Sequence, residues 1–414
     1  MDRHAVSSWP EWSLVLLDEV ASRGSGHTPS KKRPEYWNGA VQWVSLADTA
    51  RLDKGLVRSS ANTITPEGVA HSAAVVHPVG TVILLRGSSV GKSAVLASEM
   101  AVSQDYVTWT CGPRLDNWYL YHILQSRKAE LARIAFGNTI KTIGLDYFRH
   151  LTIPLPPIRE QQEIARTLCS ADNLISLLEQ LLIKKQAVKQ GIMQQLLTGR
   201  TRLPGFNETW LDVRLGDHVT YLKTVPLSRA QLDERSSVKC LHYGDIHTRA
   251  AAILDADREV MPRGDVKLVV RAGRLQPGDL VFADASEDPG GVGKSVEIIA
   301  VPTTGVVSGL HTIPARFNKS VLADGFKAYL QFVPTFRESL LRLVAGTKVL
   351  ATSKSFISSI TLSLPGVAEQ RAIANVLADA DSEIYELRIR LEKARSVRVG
   401  MMQQLLTGRT RLPF

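Results

Sequence analysis

Cysteine is scarce in this 414-residue chain: Cys111, Cys169 and Cys240 are the three, and no two stand at the spacing of a metal knuckle or a redox pair. That excludes a disulfide framework or a structural zinc as the basis of the fold and suits a reducing compartment, so a cytoplasmic location is expected. No run of about 18 apolar residues is present to span a bilayer, and the polar stretch Met1 to Pro10 lacks the apolar core of a secretory signal. Acidic residues are also short: 40 Asp and Glu face 50 Lys and Arg, a formal net charge of +10 that favours a polyanionic partner. Catalytic signatures are missing, with no Gly-x-Ser-x-Gly, His-Glu-x-x-His or Cys-x-x-Cys. Asp265-Val266-Lys267 has the acid-x-Lys look of a nuclease but no convincing partner acid upstream, so no catalytic or metal-binding residue is assigned.

What the chain has instead is a repeat. Met193-Gln194-Gln195-Leu196-Leu197-Thr198-Gly199-Arg200-Thr201-Arg202-Leu203-Pro204 returns unchanged as Met402 to Pro413, at an offset of 209 (402 − 193). Upstream, Leu155-Pro156 with Glu160-Gln161 recurs at the same offset as Leu364-Pro365 with Glu369-Gln370. Between these marks run Ile164, Leu168, Ala171, Ile175, Leu178, Leu182 and, position for position, Ile373, Leu377, Ala380, Ile384, Leu387, Leu391, a 4-3-4-3-4 spacing that puts one narrow apolar stripe on a helix. Helices are expected over about 158–198 and 367–407, stopped by Gly199 and Gly408. Each stripe suits packing on the other helix; an amphipathic helix lying on its own globular domain is the alternative. Basic residues along them, Lys184, Lys185, Lys189, Arg200 and Arg202, then Arg388, Arg390, Lys393, Arg395, Arg398 and Arg409, mark a surface for partner subunits or simply a solvated face.

The rest is mixed α+β. Leu14 to Leu17 opens a short helix or strand, Gly24 to Pro34 is a loop, Val41 to Val44 and Val82 to Leu85 read as strands, and Trp118 to Ile134 has helical spacing. The stretch from about Leu203 to Gly366 follows the first with a sliding offset, 198 at Gly80/Gly278 and 202 at Val90/Val292, so its extra residues fall in loops. Gly87 to Ser93, with Arg86, Ser88 and Lys92, and its counterpart ending in Lys294 and Ser295 fall short of a phosphate-binding loop, because the glycine spacing is wrong. A glycine, a lysine and a hydroxyl suit a DNA phosphate or an ordinary tight turn equally. Thr28, Ser30, Lys31, Lys32 and Arg33, with Trp37 behind them, join cations to an aromatic, as a nucleic-acid contact or a solvated loop. Lys223, His247, Arg249, Arg263 and Lys267 are weaker candidates for the second half.

These residues resemble the specificity subunits of type I restriction-modification enzymes. The resemblance rests on Ile153-Pro154-Leu155-Pro156-Pro157-Ile158 with Glu160-Gln161, on Gln195-Leu196-Leu197-Thr198-Gly199, on the duplication of both, and on Gly26, Thr28-Pro29-Ser30, Tyr36-Trp37 and the Gly137 to Thr139 turn. The second half departs by lacking Thr-Pro-Ser, while keeping Ser308-Gly309 and Gly346-Thr347. The resemblance implies two similar α/β target-recognition domains, over 1–157 and 203–366, separated by two long helices, 158–202 and 367–414 with their tails, pairing as an antiparallel coiled coil with pseudo-twofold symmetry. It implies a double-stranded, bipartite DNA target, two methyltransferase subunits and, in the full complex, restriction subunits as partners, with no membrane. S-adenosylmethionine and ATP with magnesium are then bound by those partners and no cofactor by this chain. A basic scaffold that binds nucleic acid without reading sequence, and a stand-alone methyltransferase or nuclease, are the alternatives.

Overall fold

The computed structural model describes residues 12–136, 142–249, 251–344 and 350–412; the turns at Gly137 to Thr139 and Gly346-Thr347 and the final Pro413 lie outside them. The fold is α+β, and the chain divides into two compact units, Met1–Glu179 with Arg390–Phe414, and Gln180–Ile389.

In the first unit a five-stranded sheet runs in the order Ala21–Ser25, Tyr106–Cys111, Val82–Leu85, Ser93–Leu96, Leu56–Val57. A four-stranded sheet follows the order Asn62–Ile64, Trp37–Val44, Met100–Val102, Val76–His77, and Ser13–Leu16 pairs with Thr152–Leu155. The buried strand Val82–Leu85 is apolar at every position, as a strand covered on both faces must be. The second unit repeats the scheme: its five strands are Val219–Tyr221, Thr312–Phe317, Leu280–Ala283, Ser295–Ala300 and Ile253–Asp255, and Leu211–Arg214 pairs with Thr361–Leu364. Its smaller sheet, Arg263–Gly264, Val238–Leu241 and Val306–Ser308, keeps the parallel central pair, Cys240 opposite Val307 as Trp43 is opposite Ala101. Where one helix is expected over Trp118 to Ile134 there are two, Asn117–Ser126 and Lys128–Ile134. Arg127 leaves helical geometry between them (ψ 3°), and its guanidinium donates to Thr152 O at 2.8 Å.

The long helices α1 (Ile158–Leu196) and α2 (Val367–Leu405) have 39 residues each. Both end in the same way: Gly199 and Gly408 take φ of +68° and +73°, and the N–H groups of Thr201 and Thr410 return to Gln195 O and Gln404 O. In the first unit Glu179 binds Arg395 at 2.7 Å and Asp172 binds Arg398; numbers rise along α1 as they fall along α2, so the segments run antiparallel there. In the second unit Lys185 binds Glu383 at 2.8 Å and Lys189 binds Asp381, again antiparallel. Ile164 and Leu168 enter the first unit's core with Met402, Leu405 and Leu406, while Ile373 and Leu377 enter the second's with Met193, Leu196 and Leu197. Ile384, Leu387 and Leu391 are buried, and Ala171, Ile175, Leu178, Leu182 and Ala380 half-buried.

Glu160 and Gln161, at the start of α1, are fully buried. Gln161 accepts from Asp116 N–H and donates to Arg114 O and Pro156 O; Gln370 likewise accepts from Ala323 N–H and donates to Val321 O and Pro365 O. Arg202 clasps Glu369 through both carboxylate oxygens (2.5 and 2.6 Å) with its guanidinium over Trp210, and Arg411 clasps Glu160 over Trp12. The second arginine of each repeated block is therefore a clasp on the acid that starts a long helix. The tail to Leu412 and the N-terminal Trp12 meet on one core.

Candidate nucleic-acid interface

In the first unit a cleft of about 750 Å³ gathers Thr28, Lys31, Trp37 and Trp43 with Asn62 and the turns Ser45–Ala47 and Ser103–Asp105. The loop enters beside the smaller sheet because Gly26 has no side chain: a Cβ there would lie 1.7 Å from Val102 O. His27 N–H then donates to Val102 O at 3.1 Å. Trp43 Nε1 donates to His27 O (3.0 Å) and Trp37 Nε1 to Ser30 O (3.2 Å), the two rings meeting edge to face, so the aromatics brace the loop from beneath. Thr28 Oγ1 donates to Gln104 Oε1. Ser30, Lys31, Lys32 and Arg33 are exposed, Arg33 beside Glu35 at 3.3 Å.

Arg86, Ser88 and Lys92 stand differently. The Arg86 guanidinium donates to Gln104 O and Ile143 O, tying down the turn at the cleft. Ser88 takes a positive φ in the tight turn, and Lys92 Nζ donates to Thr49 O. Lys294 repeats this by donating to His247 O, and burial lowers its pKa below the ordinary lysine value. Both lysines thus cap carbonyls at the end of a short helical turn.

The second unit has a cleft of about 860 Å³ that brings His247, Arg249 and Lys294 together with Tyr243, His311 and Arg337. His247 Nε2 lies 2.8 Å from Ala285 O, and Arg249 pairs with Glu259. Lys223 and Lys267 are exposed outside this cleft, and Arg263 reaches Ser236 O from an edge strand. Asp265 Oδ1 accepts Lys267 N–H at 2.7 Å, which makes the acid of the acid-x-Lys pattern a helix cap. Among the described residues no cluster of His, Cys, Asp and Glu could hold a metal ion, and no helix is long and apolar enough to cross a membrane.

Gln104, Asn62, Tyr243 and His311 carry no local signal in the sequence. Asn62 enters from the edge strand opposite Trp43, and the others reach the clefts because each central parallel strand pair delivers two loop tips to one sheet end, Leu46 beside Gln104 and Asp105 in one unit, Tyr243 beside His311 in the other. The shared backbone frame makes the positions comparable: Ser103 N–H donates to Val44 O as Gly309 N–H does to Leu241 O, both at 2.8 Å.

Two clefts with different linings, one in each unit, thus stand on one repeated backbone frame. The family model described as "Type I restriction modification DNA specificity domain" matches residues 10–185. The type I restriction enzyme MjaVIII specificity subunit of Methanocaldococcus jannaschii is 23% identical over 442 residues, covering 99% of this chain and 96% of that protein. The EcoR124I/EcoR124II specificity subunit of Escherichia coli is 33% identical over 171 residues, 40% of this chain and 41% of its own length. The S subunit of a type I restriction-modification system from M. genitalium shares the fold, with a TM-score of 0.61, 14% identity and 97% of each chain covered. Residues 10–185 thus match the type I DNA specificity domain, and the chain is similar along nearly its whole length to a type I specificity subunit.

Proposed function

We propose that each unit reads one half of a bipartite, asymmetric double-stranded DNA site, and that α1 and α2 set the gap between the halves and dock two methyltransferase subunits, with restriction subunits joining the full complex. The observation that carries this reading is the different chemistry at equivalent cleft positions: Ser45 and His242 cap equivalent turns, and the first unit has Leu46 and Asp105 at the positions where the second has Tyr243 and His311. A frame kept for stability with tips free to differ is what two readers of different sequences require. The exposed cations Lys31, Lys32 and Lys223 supply the sequence-independent attraction to phosphates, and the tips supply the reading. S-adenosylmethionine, ATP and magnesium belong to the partner subunits on this reading.

The test is a hybrid in which residues 203–366 are replaced by a copy of 1–157, assembled with the partner subunits and scored by sequencing the methylated sites. The expected motif is an inverted repeat of the first half-site; an unchanged asymmetric motif overturns the assignment. Equal affinity for all duplexes with steep salt dependence would instead mark a scaffold that binds without reading.

A further inference from the structure

We infer that Gln104 reads a base edge, that of an adenine, in the half-site bound by the first unit, and that Thr28 is the positioning residue that sets its amide; this rests on the DNA-reading role proposed above.

Gln104 sits exposed at the tip of the turn Ser103–Asp105, inside the cleft that also holds Lys31 and Asn62. Its backbone is pinned on every side. Ser103 N–H donates to Val44 O at 2.8 Å and Ser103 Oγ to Asp105 Oδ2 at 2.9 Å, while Arg86 N–H donates to Asp105 O at 2.9 Å and Arg86 Nε to Gln104 O at 3.1 Å. The side chain is held as well, by Thr28 Oγ1 at 2.6 Å from Oε1. An exposed glutamine ordinarily keeps its rotamer freedom, and fixing it contributes little to a fold whose core it does not touch. Fixing it does lower the entropy lost on contact with a ligand.

The amide that remains has an Nε2 group with no partner among the described residues and an oxygen with one lone pair left over. Paired donor and acceptor of this kind match the N7 and N6–H of adenine in the major groove, with Lys31 in the same cleft available to a phosphate. The other unit supplies a control. Its turn carries Leu310 and His311, and where His27 N–H meets Val102 O it has Val225 N–H to Ser308 O, which puts Pro226 at the place of Thr28. Neither Leu310 nor Pro226 can form the Thr28–Gln104 bond. An element of the frame would recur in both units; this one belongs to a single half-site, as a specificity determinant must.

The experiment uses the full chain assembled with its methyltransferase partners, challenged with a randomised duplex library and read by sequencing of bound and methylated DNA. Gln104→Ala should remove the preference at one A·T pair of the first half-site, a loss of roughly 5- to 150-fold in discrimination, with the second half-site unchanged. Thr28→Val should weaken the preference at that same base pair by less, and Thr28→Ser should restore it. An unchanged motif in Gln104→Ala, or an equal loss at every position of both halves, overturns the inference; the thermal unfolding curve of the variant separates the latter from misfolding. A wild-type complex with no sequence preference would overturn the DNA-reading role itself, and a preference that survives in Gln104→Ala would overturn only the assignment of this residue.

Discussion

Gln161 and Gln370 show how much a single buried amide can organise. Each replaces water for one N–H and two carbonyls where the chain turns from a strand into a long helix. Gln161→Leu keeps the volume but leaves those groups unpaired, and we expect a loss of about 2–4 kcal/mol in the first unit, checked by the denaturant midpoint of unfolding. His122 makes a different demand. It is fully buried, its Nε2 lies 3.4 Å from Cys169 Sγ, and burial, with Arg398 nearby, lowers its pKa from 6.5 to about 3. The folded chain refuses a proton that the unfolded chain accepts below about pH 6.5, so this contribution to stability is complete above that pH and is lost as the pH falls toward about 3. The slope approaches about 1.4 kcal/mol per pH unit. Stability curves of wild type and His122→Gln between pH 7.5 and 5, values chosen to straddle about 6.5, should converge on acidification; parallel curves would refute the assignment. In the second unit the corresponding contact to the helix pair is made by Tyr329, whose hydroxyl donates to Asp381 Oδ2 at 3.0 Å, so the response belongs to the first unit.

At the scale of the element, α1 and α2 are alike where they pair and unlike where they face solvent. Much of their basic character is spent internally, with Lys185, Lys189, Arg395 and Arg398 all bound to acids of the opposite helix. Among the side chains α1 leaves exposed are large apolar ones: Leu174 and Leu177, 52% and 63% exposed, in the first unit, and Leu181 and Val188 in the second. The positions 209 further on are Glu383, Glu386, Arg390 and Val397, so α2 presents mostly charge there. The exposed pair Leu174 and Leu177 suits an interaction surface, and on the docking role proposed above it contacts a methyltransferase subunit. Leu174→Glu with Leu177→Glu should lower association with the methyltransferase subunit at least about tenfold, about 1.4 kcal/mol or more. The stability of the chain itself should change by less than about 0.5 kcal/mol, since neither side chain is in a core. Co-purification and calorimetric unfolding decide between docking and a solvated face.

For the whole molecule the relevant fact is connectivity. Each long helix starts in one unit and ends in the other, so both connections between the units are helical. Seven residues inserted into each helix at the crossing, a length that preserves the apolar stripe, add about 10 Å to both connections. Neither cleft is altered. The preferred gap between half-sites should grow by up to about three base pairs at about 3.4 Å each, measured as methylation by the assembled complex across duplexes of graded gap. A gap that stays the same with both halves still recognised would show that the helices do not set it.

The repeat, the two long helices and their stopping glycines were legible in the sequence because a 3.5-residue apolar period and an identical block of twelve residues are local signals. The strand Val82–Leu85 was legible for the same reason, whereas the break at Arg127 was not, since it serves a carbonyl 25 residues away. Glu160 and Glu369 could be seen to recur, but only the tertiary structure shows them clasped by Arg411 and Arg202. The clefts are the least local feature of all. Thr28 and Gln104 are separated by 76 positions and meet because the loop after Gly26 and the turn after Met100–Val102 arrive at one end of the smaller sheet. Lys92 and Lys294 illustrate the converse: their motif was visible, yet whether each lysine faces outward or caps a carbonyl depends on a neighbour that another part of the chain supplies. Period and identity are written along the chain, while the partner of a polar group is chosen by whatever the fold brings within hydrogen-bonding reach.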